Sequence, residues 1–436
     1  MTGLRIGVGV LCLLMSDVSL GQDRTPGGTP ERGNEPASIY AEFGVRTIIN
    51  VAGSPTRVGG ATMPPEVVQA MADAALHAVS IMELQAAASR HIAKATGAEA
   101  CYVTSGASAG LTLATAAILA GLDLAKMERL PDTTGMKNEV IISREHRSGY
   151  DHAIRLAGAK LVEVGMNERL SGAGVRRTEA WEYEAAITDK TAAIAYVTTA
   201  DSRPPLAQVV EVARRHQVPV LVDAAGQLPP DLRELIQIGV DLVAASGGKG
   251  LRGPQSSGIL CGRREYIASV ALQHLDLDEH FDIWDPPEDL IPKSKLSGIP
   301  RHGIGRGFKV GKEEIIGLLT ALRLFEDGRY ESTAEEGRRH LDAISSGLQG
   351  LPVEPRLILP RSKNRSPSLH LALNTEKLGR SAFAISRELK QGDPGVFVNE
   401  GRLDQDILVI SSLNLNSALT TALTRRLQAV LSRVAK

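Results

Sequence analysis

Two neighbouring stretches decide the reading of this chain: Val218-Pro-Val-Leu-Val-Asp223 with Ala224-Ala225-Gly226 behind it, and Asp241-Leu-Val-Ala-Ala-Ser246 with Gly247-Gly248-Lys249-Gly250 behind it. Each is a short apolar, β-branched run stopped by a polar residue and glycine, which is how a buried parallel strand ends. From Thr47 onward, short runs of this kind alternate with amphipathic stretches of helical length. The same alternation runs through the first half of the chain. Glu99 to Thr104, Asn138 to Ser143, Lys160 to Val164 and Thr191 to Val197 read as further strands, and Gly258 to Cys261 is strand-like. Ala107 to Ala120, Tyr150 to Leu156, Thr178 to Ile187 and Ala207 to His216 read as helices. This is the α/β pattern of a mostly parallel sheet covered by helices.

Beyond it, a long apolar-periodic stretch from Val310 to Phe325 and a charged helix around Glu335 to Leu348 lead into strand-like Val353 to Leu359 and Ser368 to Leu373. Helical Ser381 to Leu389 and Ser417 to Val434 complete a compact α+β unit. With 436 residues there is room for two domains. We therefore expect a large domain over 39–330 and a small C-terminal domain over 331–436.

Composition excludes some classes of function. Lysine plus arginine number 49 against 50 acidic residues, so the chain has no basic field for nucleic acid. Aromatic residues are only 3%, which leaves Ala, Leu and Val to fill the core. Cys12, Cys101 and Cys261 are far apart and lack the spacing of a zinc site, so no metal is expected. At the start, Arg5 precedes an apolar run from Ile6 to Met15, and Ser19-Leu20-Gly21 offers small residues for cleavage. Residues 1–21 thus read as a signal peptide and the Gly- and Pro-rich 22–38 as a linker. The run is too short for a stable membrane span. Export is the expectation; with no twin-arginine pair to carry an already folded protein, cytoplasmic residence stays the alternative.

Ligands of open α/β sheets bind beyond the carboxyl ends of the strands. An acid, Asp223, and an amine, Lys249, fall at two such ends. Pyridoxal 5'-phosphate needs that pair: an amine to hold its aldehyde as a Schiff base, and a carboxylate to keep its ring nitrogen protonated. Ala225 lies beside the acid, and glycines flank the lysine so that backbone can approach a ligand. Ser105, Gly106 and Ala107, between a strand and a helix, form a phosphate cradle of backbone N–H groups. Ser246 adds a hydroxyl to the phosphate, and His146, after the strand ending at Ser143, is placed to stack on the ring. Singly, each has an ordinary explanation: Asp caps helices, Ser-Gly-Ala-Ser is a common helix start, and loop histidines are usually solvated. Their joint order points to the cofactor. Gly248-Lys-Gly-Leu-Arg-Gly253 also fits GxGxxG and invites a P-loop reading, but Pro254 and a strand follow rather than a helix, and Lys249 precedes Gly rather than Ser or Thr.

The run Ala245-Ser-Gly-Gly-Lys-Gly-Leu-Arg-Gly-Pro-Gln-Ser-Ser-Gly258, with Val222-Asp-Ala-Ala-Gly-Gln227 before it, resembles the bacterial selenocysteine synthase (L-seryl-tRNA selenium transferase) family. The likeness extends over about residues 40 to 436, through Ile49-Asn-Val-Ala-Gly53, Arg306-Gly-Phe-Lys-Val-Gly-Lys312 and Gly392-Asp-Pro394, and is nearest to the small-molecule branch that includes D-glucosaminate-6-phosphate ammonia-lyase. It implies an aspartate-aminotransferase-like fold (pyridoxal phosphate fold type I), a homodimer or larger homo-oligomer with the site at a subunit interface, and Lys249 as the cofactor lysine. It also implies that Gly305, Arg306 and Gly307 reach the neighbouring phosphate, and makes Arg57 and Arg252 candidates for an anionic substrate group. Departures narrow the activity. In place of the tRNA-charging members' extra domain and His-Thr-Asn-Leu-Gly-Arg stretch stand a leader and Gly53-Ser-Pro-Thr-Arg-Val-Gly59, and the Leu-Arg-Thr-Leu-like segment is replaced by Ile410-Ser-Ser-Leu-Asn-Leu415, without arginine. The resemblance then implies a lyase that eliminates across the α and β carbons of a small amino acid or amino sugar acid, phosphorylated or acidic, giving a keto acid and ammonia. Selenium transfer, transamination, racemisation, β-replacement and a catalytically silent ligand-binding homologue are the alternatives.

Overall fold

In chain order the strands are β1 Ile48–Val51, β2 Ala100–Thr104, β3 Glu139–Ser143, β4 Lys160–Val164, β5 Glu168–Leu170, β6 Gly174–Arg176, β7 Thr191–Val197, β8 Val220–Asp223, β9 Leu242–Ser246, β10 Gly258–Gly262, β11 Val353–Ile358, β12 Ser368–Leu373, β13 Gly395–Val398 and β14 Ile407–Ser411. The computed structural model describes residues 38–170, 174–360 and 362–433; the signal-like segment, and the linker up to residue 37, lie outside them. Residues 48 onward pack as one compact unit, and the short helix Ile39–Glu42, capped by Ser38, belongs to the segment before it.

Seven strands make the central sheet in the order β2-β10-β9-β8-β7-β3-β4. All run parallel except β10, which is antiparallel to both neighbours. Residues alternate between two cores because side chains of a strand alternate between faces. Cys101, Val103, Val222 and Val243 go to one side, while Tyr102, Ile142, Leu221 and Ala244 go to the other. The helix Ala107–Ala120 is made mostly of small and apolar residues and is buried along most of its length, with Ser108 in its first turn exposed. A fully enclosed side chain on it such as Leu113 stabilises the fold by about 2 kcal/mol. Leu206–Arg215, by contrast, buries Leu206, Val209, Val210 and Ala213 at helical spacing and turns Arg214 and Arg215 to water. Cys101 and Cys261, both buried, sit opposite each other on β2 and β10.

Several elements end where expected to the residue, among them β4, β7, β12 and the helix Ala107–Ala120. Others shift for local reasons. β8 begins at Val220 rather than Val218 because Pro219 has no N–H for the ladder, and Val220 N is taken by the Asp241 carboxylate at 2.8 Å. The charged helix starts at Arg329, not Glu335, directly after Gly328, whose left-handed φ of 76° separates it from the helix Lys312–Glu326.

The C-terminal layer holds an antiparallel sheet β11-β12-β14 and a parallel pair, β1 with β13. Here the structure departs from the expected boundaries. β1 lies within the stretch expected to be large domain, yet Ile49 and Val51 share a core with Leu341, Leu371, Val396 and Leu427. Asn50, between them, donates to the carbonyls of Gly53, Val58 and Gly60, and Asn414, after β14, donates to Gly53 and accepts from Thr62 N. The loop 53–62 is thereby fixed to this layer.

β10 starts at Gly258, which pairs with Ser246 on one side and Thr104 on the other. A Cβ on Gly258 would lie 2.6 Å from the carbonyl carbon of Gly106 and 2.8 Å from Thr104 Oγ1, contacts that no side chain tolerates. We expect Gly258→Ala to destabilise the fold by roughly 1–3 kcal/mol through overpacking, measured as a fall in the urea midpoint at constant slope.

Candidate active site

At the carboxyl edge of the sheet the chain leaves β2, β3, β8 and β9 by four turns. After β2, Thr104 Oγ1 donates to Gly106 O at 2.9 Å and bends the chain into the helix Ala107–Ala120. Gly106 supplies no capping side chain, so Ala107 and its successors present backbone N–H groups at a helix N-terminus, which suits an anion. Ser105 and Gly106 are partly accessible there. Ser246 is one strand removed, across Gly258, so the serine and the cradle share one end of the sheet.

Lys249 is carried on a closed turn. Arg252 N donates to Lys249 O at 2.9 Å, Gly253 N to Gly247 O at 2.9 Å, and Gly247 N to Ser257 O at 2.9 Å. Gly248 is required by proximity: a Cβ would stand 2.6 Å from Gln255 Cα. Gln255 in turn donates to Thr56 Oγ1 at 2.9 Å, tying the lysine turn to the loop 53–62. Lys249 as a residue is half-buried.

Asp223 ends β8, adjacent to β9. It accepts from Ala225 N at 3.0 Å, which is the part Ala225 plays. Burial pushes its carboxyl above the usual range, and the Ala225 N–H and the Lys249 charge offset this only in part. By strand parity Asp223 faces the same side as Leu221, and there a small cavity is lined by Ile142, His146, Ala195, Tyr196, Val197 and Asp223. The acid and the histidine are thus brought together.

His146 closes a 3-10 turn that Ser143 caps by accepting from Glu145 N at 3.2 Å. Glu145 anchors the turn by accepting from Arg177 Nε at 2.6 Å and Thr178 N at 3.1 Å. The imidazole is buried, packs edge-on to Tyr196 at 4.5 Å, and neither of its nitrogens has a hydrogen-bond partner. Burial pulls its pKa down to about 4, the Glu145 charge opposing this and the Arg177 charge adding to it. A neutral ring with unpaired nitrogens is expensive to bury. Buried imidazole nitrogens without partners are a mark of a binding site more than of a packed core.

Three arginines were expected to act on anions, and two are already engaged within the chain. Arg57 pairs with Glu400 at 3.2 Å and Arg306 with Asp276 at 2.7 Å. Gly307 lies in the same 3-10 turn as Arg306, with open space where a side chain would be. Arg252 is different: its Nε donates to Thr62 O at 2.9 Å and it has no ion pair among the described residues. Tyr196, Gln255 and the Glu145–Arg177 pair were not singled out from sequence. Gln255 had a signal in the Gly-Pro-Gln run; Tyr196 is one aromatic in an otherwise ordinary buried strand and had none.

Residues 48–278 match the family described as SelA, L-seryl-tRNA selenium transferase. The chain belongs to this family. It is 32% identical to a 5'-C-glycyluridine monooxygenase-decarboxylase of a Streptomyces species, over 90% of this chain and 92% of that one. It is 30% identical to a D-glucosaminate-6-phosphate ammonia lyase of Salmonella typhimurium, over 91% of this chain and 99% of that one. A solved D-glucosaminate-6-phosphate ammonia-lyase superposes with a TM-score of 0.75 at 28% identity, covering 92% of this chain and all of the other. The fold is therefore the aspartate-aminotransferase-like type I fold, and the protein is a pyridoxal 5'-phosphate-dependent enzyme of the lyase or transferase kind. The residues present fit that cofactor: a partly desolvated acid, a neutral unpartnered imidazole beside it, an uncapped helix start and an amine on the adjacent strand end.

The histidine gives a test that does not need the cofactor. Between pH 6.5 and about 4 an unfolded chain takes up a proton at this residue and the folded one does not, so stability must fall on acidification through that window. We expect His146→Phe to remove on the order of 2 to 3 kcal/mol of that acid sensitivity, seen as a flatter urea midpoint against pH. An unchanged profile would count against a buried neutral imidazole.

Proposed function

We propose that this enzyme is a lyase acting on a small α-amino acid or amino sugar acid, with Lys249 as the cofactor lysine and Asp223 as the partner of the ring nitrogen. The observation that carries the reading is the meeting of Asp223 and Lys249 on adjacent strand ends, with the unpartnered His146 facing the same cavity as the acid. The likeness to an ammonia lyase along nearly the whole chain supports elimination over the other outcomes such a site permits.

Each residue then has a task. Lys249 Nζ would hold the cofactor's aldehyde and would be released to act on the substrate once the substrate amine is bound. Asp223 would keep a proton on the ring nitrogen; burial raises its carboxyl, and a protonated ring beside it would favour the carboxylate form. Ser105, Gly106, Ala107 and Ser246 hold the phosphate through N–H and hydroxyl groups. His146 would lie beside the cofactor ring and, being neutral, would not repel a positive charge there. When bound, the cofactor supplies an electron sink for the charge left on the α-carbon. Lys249 removes the α-proton as general base and returns a proton to a departing β-hydroxyl. Water leaves, and hydrolysis of the product gives a keto acid and ammonia. We also propose a homo-oligomer in which the Arg306-Gly307 turn approaches the neighbour's phosphate cradle; the open space around Gly307 is consistent with a contact there.

Pyridoxal phosphate added to the purified protein should produce a visible band that borohydride bleaches, and Lys249→Ala should lack it; a wild type without the band would defeat the assignment. Asp223→Asn should lose about 100-fold or more in turnover while the cofactor-free protein melts no lower than wild type, since a carboxylate that pays for its burial has been removed. A cofactor-free Asp223→Asn protein that melts lower would show the acid to be a structural cap.

A further inference from the structure

The cations around the site differ in one respect. Arg57 faces Glu400, Arg306 faces Asp276, and Arg365 donates to Asp231 at 2.7 Å and to Gly226 O at 3.2 Å. Arg252 is half-buried and, among the described residues, faces no carboxylate; only its Nε is used, on Thr62 O. Burial pulls its guanidinium below the usual range, with the Tyr330 hydroxyl the one group acting against this. A partly desolvated cation without a counter-charge is costly and is retained where a ligand supplies the charge.

The setting of this side chain is built. Arg252 N closes the turn on Lys249 O, so lysine and arginine ride on the same turn. Its φ of 56° lies in the left-handed region that residues other than glycine rarely occupy. Tyr330 fixes the preceding residue by donating to Leu251 O at 2.7 Å. Thr62, which takes the Nε, is held by its N–H on Asn414 Oδ1 at 2.8 Å. The guanidinium is thus pinned at one nitrogen, with Nη1 and Nη2 left for a planar anion. The segment Ile410–Leu415, which closes the C-terminal layer near this loop, offers no cation of its own.

We infer that Arg252 is the receptor for the substrate's α-carboxylate and makes the enzyme selective for α-amino acids over other amines. This rests on the reading of Lys249 as the cofactor lysine. The substrate amine must reach the atom that Lys249 bonds, and its carboxylate hangs on the same carbon as that amine. A cation three residues along the lysine's own turn is where such a carboxylate arrives.

The test uses the full chain loaded with pyridoxal phosphate and follows the visible band during titration with D- and L-serine, D-glucosaminate, serinamide, ethanolamine and phosphoethanolamine. Wild type should bind at least one of the carboxylates about 100-fold tighter than serinamide. Arg252→Gln should bring that carboxylate to the serinamide level while serinamide moves less than about threefold and the band persists. If Arg252→Gln does not fold, Arg252→Lys serves: losing the forked donors should weaken the carboxylate by roughly tenfold and leave serinamide alone. A band that persists with the carboxylate preference unchanged in the variant, or absent in wild type, overturns the Arg252 assignment and leaves Lys249 standing. Arg252-dependent binding of phosphoethanolamine as tight as the best carboxylate makes this a phosphate receptor and overturns the carboxylate assignment. Absence of the band in wild type overturns both readings together.

Discussion

Two backbones meet at Gly258 and Gly106 more closely than any side chain allows, and the site is organised around that contact. β10 is the one antiparallel strand of the central sheet, wedged between β2 and β9. Its first residue therefore touches both the turn that leaves β2 toward the anion cradle and the turn that leaves β9 toward Lys249. Were the gap wider, cradle and lysine would belong to separate pockets. The gap is closed by the two backbone segments and Thr104 Oγ1, so Ser105, Ser246 and the turn that carries Lys249 lie along one edge of the sheet.

The electrostatics follow from the same enclosure. Burial raises the Asp223 carboxyl and lowers the His146 imidazole, so each is driven toward its uncharged form. A carboxyl whose burial is only partly offset and a neutral ring that lacks hydrogen bonds are individually unfavourable. Side by side in one cavity they suit the protonated heterocycle of the proposed site. Arg252, on the lysine turn, carries the complementary deficit, a cation in want of an anion. Arg57, Arg306 and Arg365, by contrast, each face a carboxylate within the chain.

Much of this was legible in the order of residues. Apolar β-branched runs ending in a polar residue and glycine mark parallel strands, and Asp223, Ser246 and the lysine turn stand out because they interrupt such runs. Strand and helix limits were readable where the switch in residue type is abrupt, as at β7 and at the helix Ala107–Ala120. They were less so at Pro219 and Gly328, where one residue's backbone chemistry moved a boundary. Pairing across long separations was not legible. β1 is four residues long and pairs with β13, nearly 350 residues later, and no local pattern records that partnership. The same holds for Tyr196 against His146 and for Arg57 against Glu400, which are contacts between parts of the chain that composition treats as unrelated.

By itself, then, the sequence determined which residues have the chemistry for a pyridoxal phosphate site and on which strand ends they fall, because strand termination is a local event written in a few neighbouring residues. Tertiary structure decided which of them share a cavity and which charges are already spent. Arg57, Arg252 and Arg306 are alike as letters in the sequence. Only the folded chain gives two of them a carboxylate and withholds one from the third, since an ion pair depends on what the rest of the chain brings within a few ångströms.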